Sequence, residues 1–133
     1  MTSHRPPAAR RRSRLRVAYV VPTLTIGGAE RQQLALAEHL PRDRFAVEFI
    51  VLGERSSNAR AAEALGVPVH VLGSARRATS PLPVFAVRAA GRVVAYLRTV
   101  RRGHYDIVDA WLYHAYALAA LTRPVSGAPI LIA

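Results

Sequence analysis

The sequence predicts an α/β fold, a Rossmann-like doubly wound parallel sheet of five strands that is incomplete at its C-terminus. Two observations carry this. Short runs rich in Val, Ile and Leu recur along the chain, as strands buried on both faces do. Segments with helical spacing fill the gaps between them, and strands alternating with helices form a parallel sheet covered on both faces. Right-handed crossovers then favour the strand order 3-2-1-4-5.

Each element has its own signal. Val17 to Val21 is a nearly all-apolar first strand. Ala29 to Leu40 sets Leu36, Ala37 and Leu40 on one side of a helix, with Arg31, Glu38 and His39 opposite. Phe45 to Leu52 is a second apolar run closed by Gly53, and Asn58 to Leu65 is a short helix ending at Gly66, a suitable residue for a helix terminus. Val67 to Leu72 is the third strand, closed by Gly73. The longest helix runs from about Pro83 to Arg102. Ala86, Ala90, Val93, Leu97 and Val100 form its stripe, and Arg88, Arg92 and Arg102 fall outside it. Ile107 to Leu112 is the fourth strand, His114 to Leu121 a helix stopping before Arg123-Pro124, and Pro129 to Ile132 the fifth strand.

A chain of 133 residues fits one domain, and half of it is hydrophobic, so it reads as globular. It has no Cys, which excludes a disulfide framework and thiolate chemistry. The net charge of +11 looks at first like a nucleic-acid signal. Its location argues otherwise. All 19 basic residues are Arg, and Arg5, Arg10, Arg11, Arg12, Arg14 and Arg16 crowd the first 16 positions without an acid. Residues 1–14, with Pro6-Pro7, form an Arg-rich tail that cannot bury apolar surface and is expected to be disordered, while 15–133 form the folded domain. Such a tail can touch anionic lipid, each Arg near that surface contributing about 1 kcal/mol, or it is a solvated leader with no role. It is not a signal peptide, because the apolar stretch after it is too short, and no apolar run is long enough to span a membrane. No nucleic-acid motif or aromatic interleaving accompanies the arginines, so no nucleic-acid partner is expected.

In a 3-2-1-4-5 sheet, ligands sit at the carboxyl ends of strands 1 and 4, where the winding reverses. Gly27-Gly28 follows strand 1 and Trp111 to His114 follow strand 4, so the two most distinctive segments converge on one crevice. Gly27 and Gly28 suit either a cradle for a phosphate, diphosphate or carboxylate at a helix N-terminus, or a tight turn made for packing. The pattern is not GxGxxG, so a nicotinamide fingerprint is missing. Glu30 fits the third helical position, where a carboxylate supports the cap and the helix dipole, yet Glu30 and Gln33 also fall on the apolar side and would look into the crevice. His114, at a helix start by the crevice mouth, is either a surface residue or a binding and proton-relay group. Asp109, inside an apolar run, must pair with a donor or face the site. Trp111 either stacks on a sugar or base or belongs to the core. His70 alternates within strand 3 and is given no function; His4, His39 and His104 show no metal-ligand grouping, so no metal is expected.

With these residues placed, the chain resembles the N-terminal domain of the GT-B glycosyltransferases, specifically glycosyltransferase family 4. The resemblance is carried by the strand Arg16 to Pro22 with Thr23-Leu24-Thr25-Ile26-Gly27-Gly28-Ala29-Glu30-Arg31, then Phe45 to Phe49, Gly66 to Val69, Tyr105 to Val108 and Trp111-Leu112-Tyr113-His114-Ala115. It covers residues 15 to 133. It implies a retaining transferase that uses a nucleotide-diphosphate sugar without a metal ion or other cofactor and passes the sugar to a glycan or lipid-linked glycan acceptor. It also implies a cytoplasmic protein, including one held peripherally at the inner face of the membrane. In such enzymes the glycine loop approaches the donor diphosphate, a role that falls on Gly27 and Gly28, while Glu30, Gln33, Asp109 and Trp111 line the acceptor side. Many members carry an Asp-x-x-His-x-His pattern after strand 4. Here Asp109 and Trp111 occupy the two His places, and His114 is the candidate to take over the catalytic role.

The resemblance further implies a second, C-terminal Rossmann-like domain that holds the nucleotide sugar, supplied in cis or in trans, without which this chain is expected to be inactive. Two other readings stay open: a non-catalytic doubly wound module that captures a small anion or acceptor, and the first domain of a GT-B nucleotide-sugar epimerase.

Overall fold

A computed structural model describes residues 14–25, 27–73 and 81–132. Except for Arg14, the Arg-rich tail lies outside the described residues, as does Ile26 of the glycine loop. The elements run β1 (Leu15–Val21), α1 (Gly28–His39), β2 (Phe45–Val51), α2 (Ser57–Ala64), β3 (Val69–Val71), α3 (Leu82–Gly103), β4 (Ile107–Ala110), α4 (Tyr113–Ser126) and β5 (Ile130–Ile132). All strand pairs are parallel and the order is β3-β2-β1-β4-β5, as the sequence predicts. Tyr19 of β1 is opposite Phe49 of β2 on one side and Asp109 of β4 on the other. Because side chains alternate along a strand, this register sorts every strand residue onto one of two faces.

On one face Val17, Tyr19, Val21, Phe49 and Val51 pack with Ala37 of α1 and with Ala59 and Ala62 of α2. The Tyr19 and Phe49 rings meet at 5.4 Å between centroids. On the other face Ala18, Val20, Ile50, Val108 and Ala110 pack with Tyr96 and Val100 of α3 and with Ala115 and Ala119 of α4. Alanines at the helix contacts let the helices lie close to the sheet, and the aromatic rings fill the remaining volume.

Four polar side chains share the α3 face. Glu48 accepts hydrogen bonds from Arg16 Nη2 at 2.8 Å and Tyr105 Oη at 2.6 Å, and its second oxygen also lies 2.8 Å from His70 Nε2. His70 thus takes a structural place in β3. Burial alone would raise the Glu48 carboxyl, but the hydrogen bonds from Tyr105 and His70 and the Arg16 charge outweigh it and hold the group below its ordinary value. The same Glu48 contact, with burial as the larger cause, pushes the Tyr105 phenol up.

Two glycines shape the upper ends of the strands. A Cβ at Gly53 would meet the Pro22 carbonyl oxygen at 2.7 Å, and one at Gly73 would meet the Leu52 and Gly53 carbonyls at 2.6 and 2.7 Å. Their amides continue the ladder, Gly53 N–H to Pro22 O at 2.8 Å and Gly73 N–H to Gly53 O at 3.0 Å. The main chains there approach too closely for any side chain.

Two helices depart from the sequence expectation. α4 continues through Pro124 to Ser126 and ends at Gly127, whose φ is +77°. Pro124 sits in the last turn, where the helix is about to stop, so its missing N–H removes little. In α3 the expected stripe is buried only in part: Val100 is buried and Val93 and Leu97 are half-buried, but Ala86 and Ala90 are exposed, as is every described residue from 81 to 90. Tyr96, outside that stripe, is buried instead. The helix is 22 residues long, roughly 33 Å, whereas the adjoining β4 has four residues and spans roughly 13 Å. The sheet ends before the helix does.

Candidate functional site

The chain leaves β1 at Val21, turns through Leu24 and Thr25, and enters α1 with Gly27 as its N-cap. The turn is braced from below by α2: Ser56 Oγ donates to the Leu24 carbonyl, and Asn58 Nδ2 donates to the Thr25 carbonyl at 2.6 Å. Ser56 precedes α2 and could have capped it, yet its hydroxyl holds the neighbouring loop instead. Sequence reasoning missed this brace, because nothing local links Ser56 to Leu24.

Gly27 has φ −142° and ψ 170°, an extended conformation open to any residue. What keeps it glycine is Glu30, whose carboxylate folds back onto it and would collide with a Cβ there. Glu30 stands third in the helix, where a carboxylate complements the positive end of the dipole. At Gly28 the situation differs: nothing lies within 4 Å of where its Cβ would be. The first residue of α1 therefore offers bare, approachable backbone at a helix N-terminus, the geometry that suits an anion.

Behind this entrance the same helix buries polar groups. Glu30 is buried, and Gln33 is 1% exposed with neither amide atom hydrogen-bonded. One turn further on, Ala37 belongs to the core cluster against which Trp111 packs, and the Trp111 Nε1–H is likewise buried without a well-aligned partner. Asp109 lies on this face beside Tyr19. Burial raises its carboxyl above the ordinary value, and the Trp111 indole offsets only part of that shift. Burial also raises the Tyr19 phenol, with the Asp109 charge adding to it. Glu30, Gln33, Asp109 and Trp111 thus share the α1 face of the sheet at its C-terminal end.

His114 is elsewhere. It is exposed in the first turn of α4, which covers the opposite face, and its ring meets that of Tyr113 edge-on at 5.8 Å. The switch point consequently has two flanks, with Gly27, Gly28 and Glu30 on the α1 side and His114 on the α4 side. Between β4 and α4 lies Leu112, with φ +70° and ψ 153°, a conformation that strains any residue but glycine by about 1–3 kcal/mol. A leucine gives no sequence signal of this, and the strain sits at the rim of the site.

Among the described residues, no three His, Asp or Glu side chains gather where they could hold a metal ion. No helix among them is long and apolar enough to cross a membrane.

The family model of glycosyltransferase family 4 matches residues 26–132. The chain belongs to glycosyltransferase family 4. That match begins at the glycine loop and ends with β5, so it takes in both flanks of the switch point. Among solved structures, the chain is similar to Anabaena HepE, crystallised in complex with UDP and glucose, with a TM-score of 0.63 and 20% identity over 87% of this chain. This likeness shows the Rossmann-like fold. The chain spans 28% of the length of that protein. No curated protein matches the sequence.

Proposed function

We propose that this family 4 chain forms the acceptor-side domain of a retaining transferase, which moves a sugar from a nucleotide-diphosphate sugar to a glycan or lipid-linked glycan acceptor. The observation that carries the reading is Gly28: bare backbone in the first turn of α1, open to solvent, at the switch point of a 3-2-1-4-5 sheet. When a glycosidic bond to a diphosphate breaks, negative charge grows on the leaving oxygens. The free N–H groups and dipole at the start of α1 are aimed to stabilise that charge. The relative crystallised with UDP and glucose supports the choice of ligand class.

In this reading Gly27 and Gly28 meet the donor diphosphate, and Glu30, Gln33, Asp109 and Trp111 line the acceptor side. Gln33 supplies an unpaired donor and acceptor, groups suited to sugar hydroxyls once the site opens, and the Trp111 N–H lies beside the Asp109 carboxyl. His114 is the candidate to approach the reacting sugar from the α4 flank. No metal is assigned a role; charge neutralisation falls to the helix terminus and to basic residues of the second domain. A second Rossmann-like domain, in cis or in trans, grips the nucleotide. The protein works at the cytoplasmic face, where the Arg-rich tail contacts anionic lipid.

Trp111 is the only tryptophan, so its fluorescence reads the site directly. Titration with UDP-glucose should quench it, whereas uridine, lacking the diphosphate, should not. Gly28→Val should leave the far-ultraviolet spectrum intact and remove the response. An equal response to both ligands, or an unaffected Gly28→Val variant, would overturn the diphosphate cradle.

A further inference from the structure

The part of α3 that overshoots the sheet is unusual for a surface helix. Leu82 is 81% exposed, Phe85 53% and Val87 73%, and Val84 is exposed beside them. At 100° per residue these four point in four directions, and Ala86, Ala89 and Ala90 fill the gaps between them. The tip is apolar all round rather than along one stripe. A helix made for a protein groove presents a single stripe at i, i+3, i+4 and i+7. A helix tip apolar on every side suits a medium that surrounds it.

Charge identifies that medium. α3 carries Arg88, Arg92, Arg98, Arg101 and Arg102 and no acidic residue. Arg88 follows directly on Val87 and Arg92 stands about one turn further on, where long cationic side chains reach head-group phosphates while their stems follow the apolar surface. A second copy of the same helix would bring like charges together. The helix start is also prepared for low polarity: Pro83 has no N–H, and the Phe85 N–H is bonded to the Pro81 carbonyl at 3.1 Å. From Leu82 to Val87 the tip is roughly 9 Å long, comparable to the depth of about 5–10 Å that interfacial helices reach.

We propose that the projecting N-terminal turns of α3, through Leu82, Val84, Phe85 and Val87, insert into an anionic lipid surface, with Arg88 and Arg92 at the level of the phosphates. In a parallel sheet the start of α3 lies at the same end as the carboxyl ends of the strands, so this docking sets the rim of the switch point against the lipid. The inference rests on the transferase reading only for its purpose, delivery of a lipid-linked acceptor. The docking itself needs no sugar.

The test uses vesicles free of any acceptor or nucleotide sugar, so its outcome is separate from that of the fluorescence titration. The chain should co-sediment with phosphatidylcholine vesicles containing phosphatidylglycerol and much less with phosphatidylcholine alone. Leu82→Ser, Phe85→Ser and Val87→Ser together should weaken anionic binding at least about tenfold, with an unchanged circular dichroism spectrum. The chain has no cysteine, so a Val87→Cys variant takes a single environment-sensitive dye, with Leu121→Cys, 82% exposed on α4, as its control. The dye at position 87 should shift to the blue on anionic vesicles and the dye at 121 should not. Unchanged binding by the triple variant would leave attachment to the Arg-rich tail and overturn the proposal. So would an unshifted dye at 87, an equal shift at both positions, or self-association of the wild type that the triple variant abolishes, which would make a second copy the occupant.

Discussion

The carboxylate of Glu30 occupies the space into which a side chain at Gly27 would grow, so each of these residues restricts the other. The obstructing atoms are the far end of a flexible side chain, which can be displaced at a cost. Gly27→Ala should therefore destabilise the protein by about 1 kcal/mol, by pushing Glu30 off the helix terminus. In a Glu30→Ala background the same change should cost much less, giving a coupling of about 0.5 kcal/mol or more in a denaturant double-mutant cycle. Strict additivity would mean that the contact is incidental.

Glu48 and Asp109 impose opposite slopes of stability on pH. The Glu48 carboxyl is held below its ordinary value of 4.5 in the folded state, so its contribution is fully present above that pH and is lost as the pH falls through the lower folded value. Asp109 is raised above 3.8, so the folded state prefers its protonated form and loses stability as the pH rises through that range. Glu48→Gln should destabilise by about 1–3 kcal/mol at neutral pH and flatten the acid limb of the curve of Tm against pH. Asp109→Asn should raise Tm at neutral pH and leave it unchanged well below pH 3.8. Thermal scans between pH 2 and 8 would separate the two.

Leu112 stores strain where β4 hands over to α4. Glycine removes the strain but adds freedom to the unfolded chain, an opposing effect of about 0.4–1 kcal/mol. Leu112→Gly should thus stabilise by about 1 kcal/mol net, a rise of a few degrees in Tm. It should also loosen the start of α4 and weaken the Trp111 response to UDP-glucose. A fall in Tm would show that the exposed leucine side chain contributes more by packing than its backbone loses.

The sheet was legible because its signals are local. Continuous apolar runs such as Phe45 to Val51, punctuated by Gly53 and Gly73, report burial on both faces, and the crossover rule then leaves few strand orders. Glu30 and Gln33 were legible as residues out of place on a helical wheel, and both are buried. What stayed hidden depends on partners distant in sequence. The ties among Arg16, Glu48, His70 and Tyr105 span up to 57 positions and exist only once three strands are in register. The α3 stripe is buried only in its second half for a related reason: spacing says which side of a helix is apolar, but not how far the neighbouring sheet extends. The Leu112 backbone left no trace, since its side chain is an ordinary one.

The mismatch in length between α3 and the sheet makes α3 two helices in its dynamics. Its second half is clamped by Tyr96 and Val100 and opens only with the domain; among the described residues its first half, from 82 to 91, buries no side chain, and a helix of about ten residues is marginal in water on its own. Amide hydrogens from 84 to 91 should accordingly exchange with solvent far sooner than those from 96 to 103. Contact with a water-poor phase would invert that gradient, because backbone hydrogen bonds lose their competitor there. The helix would then be completed by its surroundings rather than by its own domain.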